Sequence, residues 1–160
     1  MKEERILTKF LTYESENELP ETEASLLREA RKALENAYAP YSRFFVGAAV
    51  LLESGEIIGG SNQENASFPL ALCAERVALS AVESRFPHAN IVAMAIVARN
   101  QKRLIDRPAA PCGACRQVIA EKEWRQKSPM KIILQAETGP VFVIPSGRDL
   151  LPLAFDPEYL

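Results

Sequence analysis

Three cysteines and one glutamate carry the chemistry that this sequence can do. Cys73 and Glu75 stand in "LCAERVAL", and Cys112 and Cys115 stand in "PCGACRQ". Thiolates act as nucleophiles, redox groups and ligands for soft metals. A lone Cys-x-x-Cys fits a redox dithiol, half of a structural zinc site or part of a catalytic one. Cys73 raises the set to three, the number of protein ligands at a catalytic zinc. A closed structural site needs a fourth ligand, and there is no fourth cysteine. The single histidine is His88. If residues 73–86 are helical, it lies roughly 22 Å from Cys73, far beyond bonds of about 2 Å. It reads as a surface residue of the turn "FPHAN". Glu75 could close the site as a fourth ligand. Left unliganded, it would shuttle protons for a zinc-activated water.

Electrostatics test that reading. Three thiolates turn Zn²⁺ into a centre of formal charge −1, which opposes activation of water. Two helix N-termini would each offset roughly half a charge. Arg76 lies three residues from Cys73 on the same helix face, and could donate hydrogen bonds to the sulfurs.

These side chains need elements that bring them together. The apolar positions Leu26, Leu27, Ala30, Ala33, Leu34 and Ala37 recur at helical spacing and predict a helix from about 22 to 37. Pro40 ends it. "FFVGAAVLLESGEIIGGSN" predicts a β-hairpin around "ESGE". A second helix spans 73–86, and a buried strand spans 91–98. A third helix starts near Gly113, followed by strands at 131–136 and 140–144. Residues 6–13 read as a short strand, and the tail "SGRDLLPLAFDPEYL" as a docked segment with a helical turn. The helices between the second and third and between the third and fourth of the five main strands imply crossovers and parallel pairing there. The expected architecture is one domain over 1–160: a three-layer α/β/α sandwich with a mixed sheet of about five strands and an N-terminal extension over 1–20. Both cysteine-bearing helices would start at the carboxyl edge of the sheet, where α/β proteins bind ligands. Cys73 then ligates from the rim of its helix, and Glu75 reaches over the open metal position.

Bulk properties exclude several classes. The 160 residues carry 19 basic and 21 acidic side chains, a net charge of −2. No basic footprint for nucleic acid is present. No run of 18 apolar residues suggests a membrane span. The acidic N-terminus lacks a signal-peptide core, so the expected location is cytoplasmic.

Taken together, "CAER" at 73–76 and "PCGACRQ" at 111–117 resemble the zinc site of cytidine deaminases, the free-nucleoside branch of the zinc-dependent deaminases. The segments "AYAPYSRFFVGAAVL" (37–51), "NQENASF" (62–68) and "DLLPLAF" (149–155) are similar to further family segments, in the expected order. The likeness runs from about residue 25 to 156. It implies that Cys73, Cys112 and Cys115 bind Zn²⁺. Glu75 would be the proton shuttle in hydrolytic deamination of cytidine or deoxycytidine to uridine or deoxyuridine, a step of pyrimidine salvage. Asn62 and Glu64 would bind the ribose 3′-hydroxyl, Phe44 would pack on base or sugar, and the backbone of Ala74 would read the pyrimidine. Phe155 would reach a neighbouring subunit's site, since small chains of this family are homotetramers. A deaminase of another cytosine nucleoside, a zinc-stabilised binding module and a thiol redox protein are the competing readings. The sequence departs from the family at Phe68, where many members carry tyrosine, and in its longer N-terminal segment.

Overall fold

The computed structural model describes all 160 residues. Six strands form one sheet in the order β1-β6-β5-β4-β2-β3. They are β1 (Leu11–Tyr13), β2 (Phe44–Leu52), β3 (Ile57–Ser61), β4 (Ile91–Asn100), β5 (Lys131–Gln135) and β6 (Val141–Ile144). Three helices flank it: α1 (Glu21–Leu34), α2 (Ala74–Arg85) and α3 (Gly113–Gln126). The three layers follow from the period-two alternation of strands. In β4, Ala93, Ala95 and Val97 face α1, packing with Leu26, Leu27 and Ala30. Met94 and Ile96 face the other way, among Ala78, Val82 and Ile119 of α2 and α3.

The sandwich matches the expectation, with three differences. The sixth strand is the N-terminal one, shorter than the expected 6–13. It pairs antiparallel with β6, Leu11 opposite Val143 and Tyr13 opposite Val141. β4 and β5 pair in parallel, as expected. β3 and β4 run in the same direction but do not pair, because β2 lies between them and is antiparallel to both. The hairpin keeps its two strands adjacent, so the α2 crossover must step over β2. Finally, α1 stops at Leu34 rather than near 37. A tightened turn follows through Ala37, and Tyr38 is drawn off to pair with the loop after β3. Its N–H donates to the Asn62 carbonyl, and its carbonyl accepts from Glu64 N–H.

This topology places the site. Because β3 and β4 run the same way, Ser61 and Asn100 end at one edge, and Phe44 opens β2 there. α2 and α3 both start above that edge. Gly60 permits the approach of α2: a Cβ there would sit 2.5 Å from the Ala78 nitrogen and 2.7 Å from the Ala74 carbonyl oxygen.

Candidate active site

Cys73 is the N-cap of α2, and Cys112 is the N-cap of α3. Both have extended backbone, with φ −74° and ψ 149° at Cys73 and φ −67° and ψ 169° at Cys112. Each carbonyl accepts the first intrahelical bond, from Val77 N–H and Arg116 N–H. Neither thiol caps its own helix, so both are available to a shared site. Cys115, one turn into α3, is fully buried behind them.

The three sulfurs lie within 4.8 Å of one another. Cys112 Sγ is 3.4 Å from Cys115 Sγ and 3.7 Å from Cys73 Sγ. Tetrahedral zinc with bonds of about 2.3 Å spaces its sulfurs about 3.8 Å apart. The donor set therefore fits zinc in number, type and spacing. The thiols already interact as one group. Hydrogen bonding from the Cys115 thiol, helped by Cys112 and the charge of Arg76, lowers Cys73 to about 6 against burial and Glu75. The same contact with Cys73, with burial, pushes Cys115 upward. The first proton leaves easily and the next is held tightly between the sulfurs, as expected of coupled sites.

Glu75 sits in the first turn of α2 and is only 5% exposed. Burial raises its carboxyl above the usual range, outweighing its own N–H, the Cys115 thiol and Arg76. Arg76 is half-buried and acts on Cys73 and Glu75 through its charge. The expected hydrogen bond from Arg76 to a sulfur is absent.

A cavity of about 250 Å³ opens beside the thiols. Cys73, Ala74, Glu75 and Cys112 line it together with Phe44, Asn62 and Glu64. The loop that carries the last two is pinned at its ends. Gln63 and Leu72 exchange two backbone hydrogen bonds of 2.9 Å, so the chain leaves and returns beside Cys73. Asn62 uses its amide to extend the β2–β3 ladder: Oδ1 accepts from Val46 N–H and Nδ2 donates to the Phe44 carbonyl. One donor and one acceptor position remain on it. Glu64 Oε2 accepts from Tyr41 N–H at 2.9 Å and Ser42 N–H at 3.3 Å, leaving Oε1 free. Its slight burial raises its carboxyl, but the Ser42 and Tyr41 hydrogen bonds and Lys102 prevail and hold it below the usual value. No lysine or arginine lines the cavity. Phe155 stands apart from it, 56% exposed and stacked on Tyr159.

The sequence reading did not single out Arg116. Its Nε donates to the Pro111 carbonyl at 2.8 Å, and its Nη1 donates to the Leu150 carbonyl at 2.9 Å. Its neighbour Gln117 holds the Phe155 carbonyl at 2.7 Å. The motif "PCGACRQ" contained both residues, but only their backbone partners reveal what they do. A larger, shallower depression of about 540 Å³ lies at the other end of α3. Its buried carboxylate, Glu123, is fully engaged by backbone and serine donors, so the chemistry resides at the thiols.

Three clustered cysteine sulfurs and a buried carboxylate beside one cavity are the donor set and proton carrier of a metal-dependent hydrolase site. Residues 20–128 match the family model described as the cytidine and deoxycytidylate deaminase zinc-binding region. A cytidine deaminase of Halalkalibacterium halodurans is 52% identical over 83% of this chain and 93% of its own length. One from Mycobacterium tuberculosis is 40% identical over 64% of this chain and 74% of its own. The crystal structure of a Burkholderia pseudomallei cytidine deaminase superposes with a TM-score of 0.70 at 41% identity, covering 82% of this chain and 97% of that one. The chain belongs to the cytidine and deoxycytidylate deaminase family of zinc-dependent enzymes.

Proposed function

We propose that this protein converts free cytidine and deoxycytidine to uridine and deoxyuridine with release of ammonia. The observation that carries this is Glu75: a buried carboxyl that lines one cavity with Cys73 and Cys112 and meets the Cys115 thiol. Cys73, Cys112 and Cys115 would hold Zn²⁺, which supplies Lewis acidity that brings a water's pKa toward about 7. Glu75 takes one proton from the attacking water and passes it to ring N3, then takes the second from the new C4 hydroxyl and passes it to the departing amine, and so ends the cycle as it began. Its raised affinity for protons suits both halves of that task. Phe44 packs on the ring or sugar, and the N–H of Ala74, free in the first turn of α2, faces the polar edge of the pyrimidine. Glu64 Oε1 and the spare amide positions of Asn62 accept and donate to the sugar hydroxyl. The lack of any cation in the cavity supports a nucleoside over its phosphate.

Phe155, exposed here and outside this chain's cavity, fits a homotetramer in which it completes a neighbour's site. No helix is long and apolar enough to cross a membrane, and the protein would act in cytoplasmic pyrimidine salvage. Zinc content, ammonia release and the ultraviolet change on conversion of cytidine test the reading together. One zinc per chain without ammonia would contradict it. Cys112→Ala is expected to lose zinc and all measurable turnover. An active variant retaining stoichiometric zinc would remove Cys112 from the ligand set. Light scattering should give four chains, and a fully active monomer would exclude the role of Phe155.

A further inference from the structure

The Cys112 loop has support from an unexpected quarter. Residues 1–20 precede or barely enter the family match, which begins at residue 20. Yet this segment is fastened to the body at several points. Phe10 packs against Phe142 with ring centroids 4.9 Å apart. β1 zips onto β6. Glu16 and Gln135 converge on Arg31. The Thr8 hydroxyl donates to the Asp149 carbonyl at 2.9 Å.

Asp149 belongs to the 3₁₀ turn Gly147–Leu150. Glu123 fixes the start of that turn by accepting from Gly147 and Arg148 N–H. Thr8 fixes its end. The next residue, Leu150, presents the carbonyl that holds Arg116 Nη1, and Arg116 Nε holds the carbonyl of Pro111, directly before Cys112. The guanidinium is a rigid fork whose two nitrogens bridge two otherwise unconnected carbonyls. Cys112 is the exposed member of the thiol set.

We infer that Arg116 is the positioning residue for the Cys112 loop, and that the N-terminal segment secures its far anchor through Thr8. The inference rests on the proposed zinc site for its consequence but not for its geometry. A ligand held in place by such an outer contact binds its metal more tightly, by about 10–100-fold in comparable sites.

The test uses Arg116→Lys and Thr8→Val in the full chain. A lysine keeps the charge but cannot span both carbonyls. A valine keeps the shape but has no hydroxyl. Two readouts are taken: amide hydrogen exchange over residues 109–116, which needs no metal, and zinc release to a chromogenic chelator. Arg116→Lys should speed both by about tenfold, and Thr8→Val by about threefold. The double variant should match Arg116→Lys, because Thr8 acts through the same anchor. Wild-type exchange in Arg116→Lys, or effects that simply multiply in the double variant, would overturn the inference. A wild-type chain that takes up no zinc would instead contradict the proposed function, while the exchange comparison would still decide the role of Arg116.

Discussion

Glu75 and Glu123 are both buried glutamates on the helices of one face, 5% and 3% exposed, and they do opposite things. Glu123, near the end of α3, accepts from Met130 N–H, the Ser146 hydroxyl, Gly147 N–H and Arg148 N–H. Every lone pair that matters has a donor, and the donors come from a strand start and a turn that need fixing. Glu75, at the start of α2, meets the Cys115 thiol, its own N–H and the charge of Arg76, and its carboxyl stays above the usual range because burial prevails. A saturated buried carboxylate is a rivet. An undersatisfied one beside a cavity keeps the raised proton affinity that a general acid/base would use.

Replacing each with glutamine breaks or sharpens this contrast. Glu75→Gln should retain zinc and fold at least as well as the parent, since a neutral group replaces a buried acid. Its kcat should fall by about 10³, within the usual range for losing a general acid/base. Near-normal turnover would end its role as shuttle. Glu123→Gln should do the reverse. The amide NH₂ would face N–H donors, costing about 2–3 kcal/mol of unfolding free energy. Denaturant unfolding measures that loss, and kcat on the folded fraction should stay within about twofold. Equal stability losses in the two variants would mean that both carboxylates are structural.

The sequence made one of these glutamates legible and hid the other for a physical reason. Glu75 was readable from its local setting: a cysteine two residues away, a proline loop before it and a second cysteine pair at another helix start. Cys73 and Cys112 as helix-start residues also followed from that local pattern. Glu123 looked like any charged position of "AEKEWRQ", because its partners come from residues 130 and 146–148. Arg116 was hidden likewise, since its partners are the carbonyls of residues 111 and 150. Pairing order had the same weakness. Helices between strands implied parallel neighbours, and only the hairpin geometry of β2 and β3 keeps β3 and β4 apart. What a side chain can do was visible in its type and spacing. What a backbone carbonyl far along the chain contributes was not.

A third glutamate on the same pair of helices grades the comparison. Glu83 of α2 faces Lys122 of α3 at 2.7 Å and Arg125 at 2.9 Å. Lys122 is buried and also donates to the Ala89 carbonyl, so the pair clasps the two cysteine-bearing helices. Partial burial raises the Glu83 carboxyl, but the hydrogen bonds and charges of Lys122 and Arg125 outweigh it and hold it below 4.5, its usual value. A depressed carboxyl stabilises the fold above its unfolded value, and that stability is lost as pH falls through the folded value. The clasp should therefore contribute at pH 7 and fade below about pH 4.5. Because Glu83 is partly exposed, its contribution is small, about 1 kcal/mol. The difference in unfolding free energy between wild type and Glu83→Gln should be near that value at pH 7 and shrink toward zero as pH falls through the lowered folded value. A difference that stays constant across this range would mean that the clasp works by packing and hydrogen bonding, as at Glu123, and not by charge.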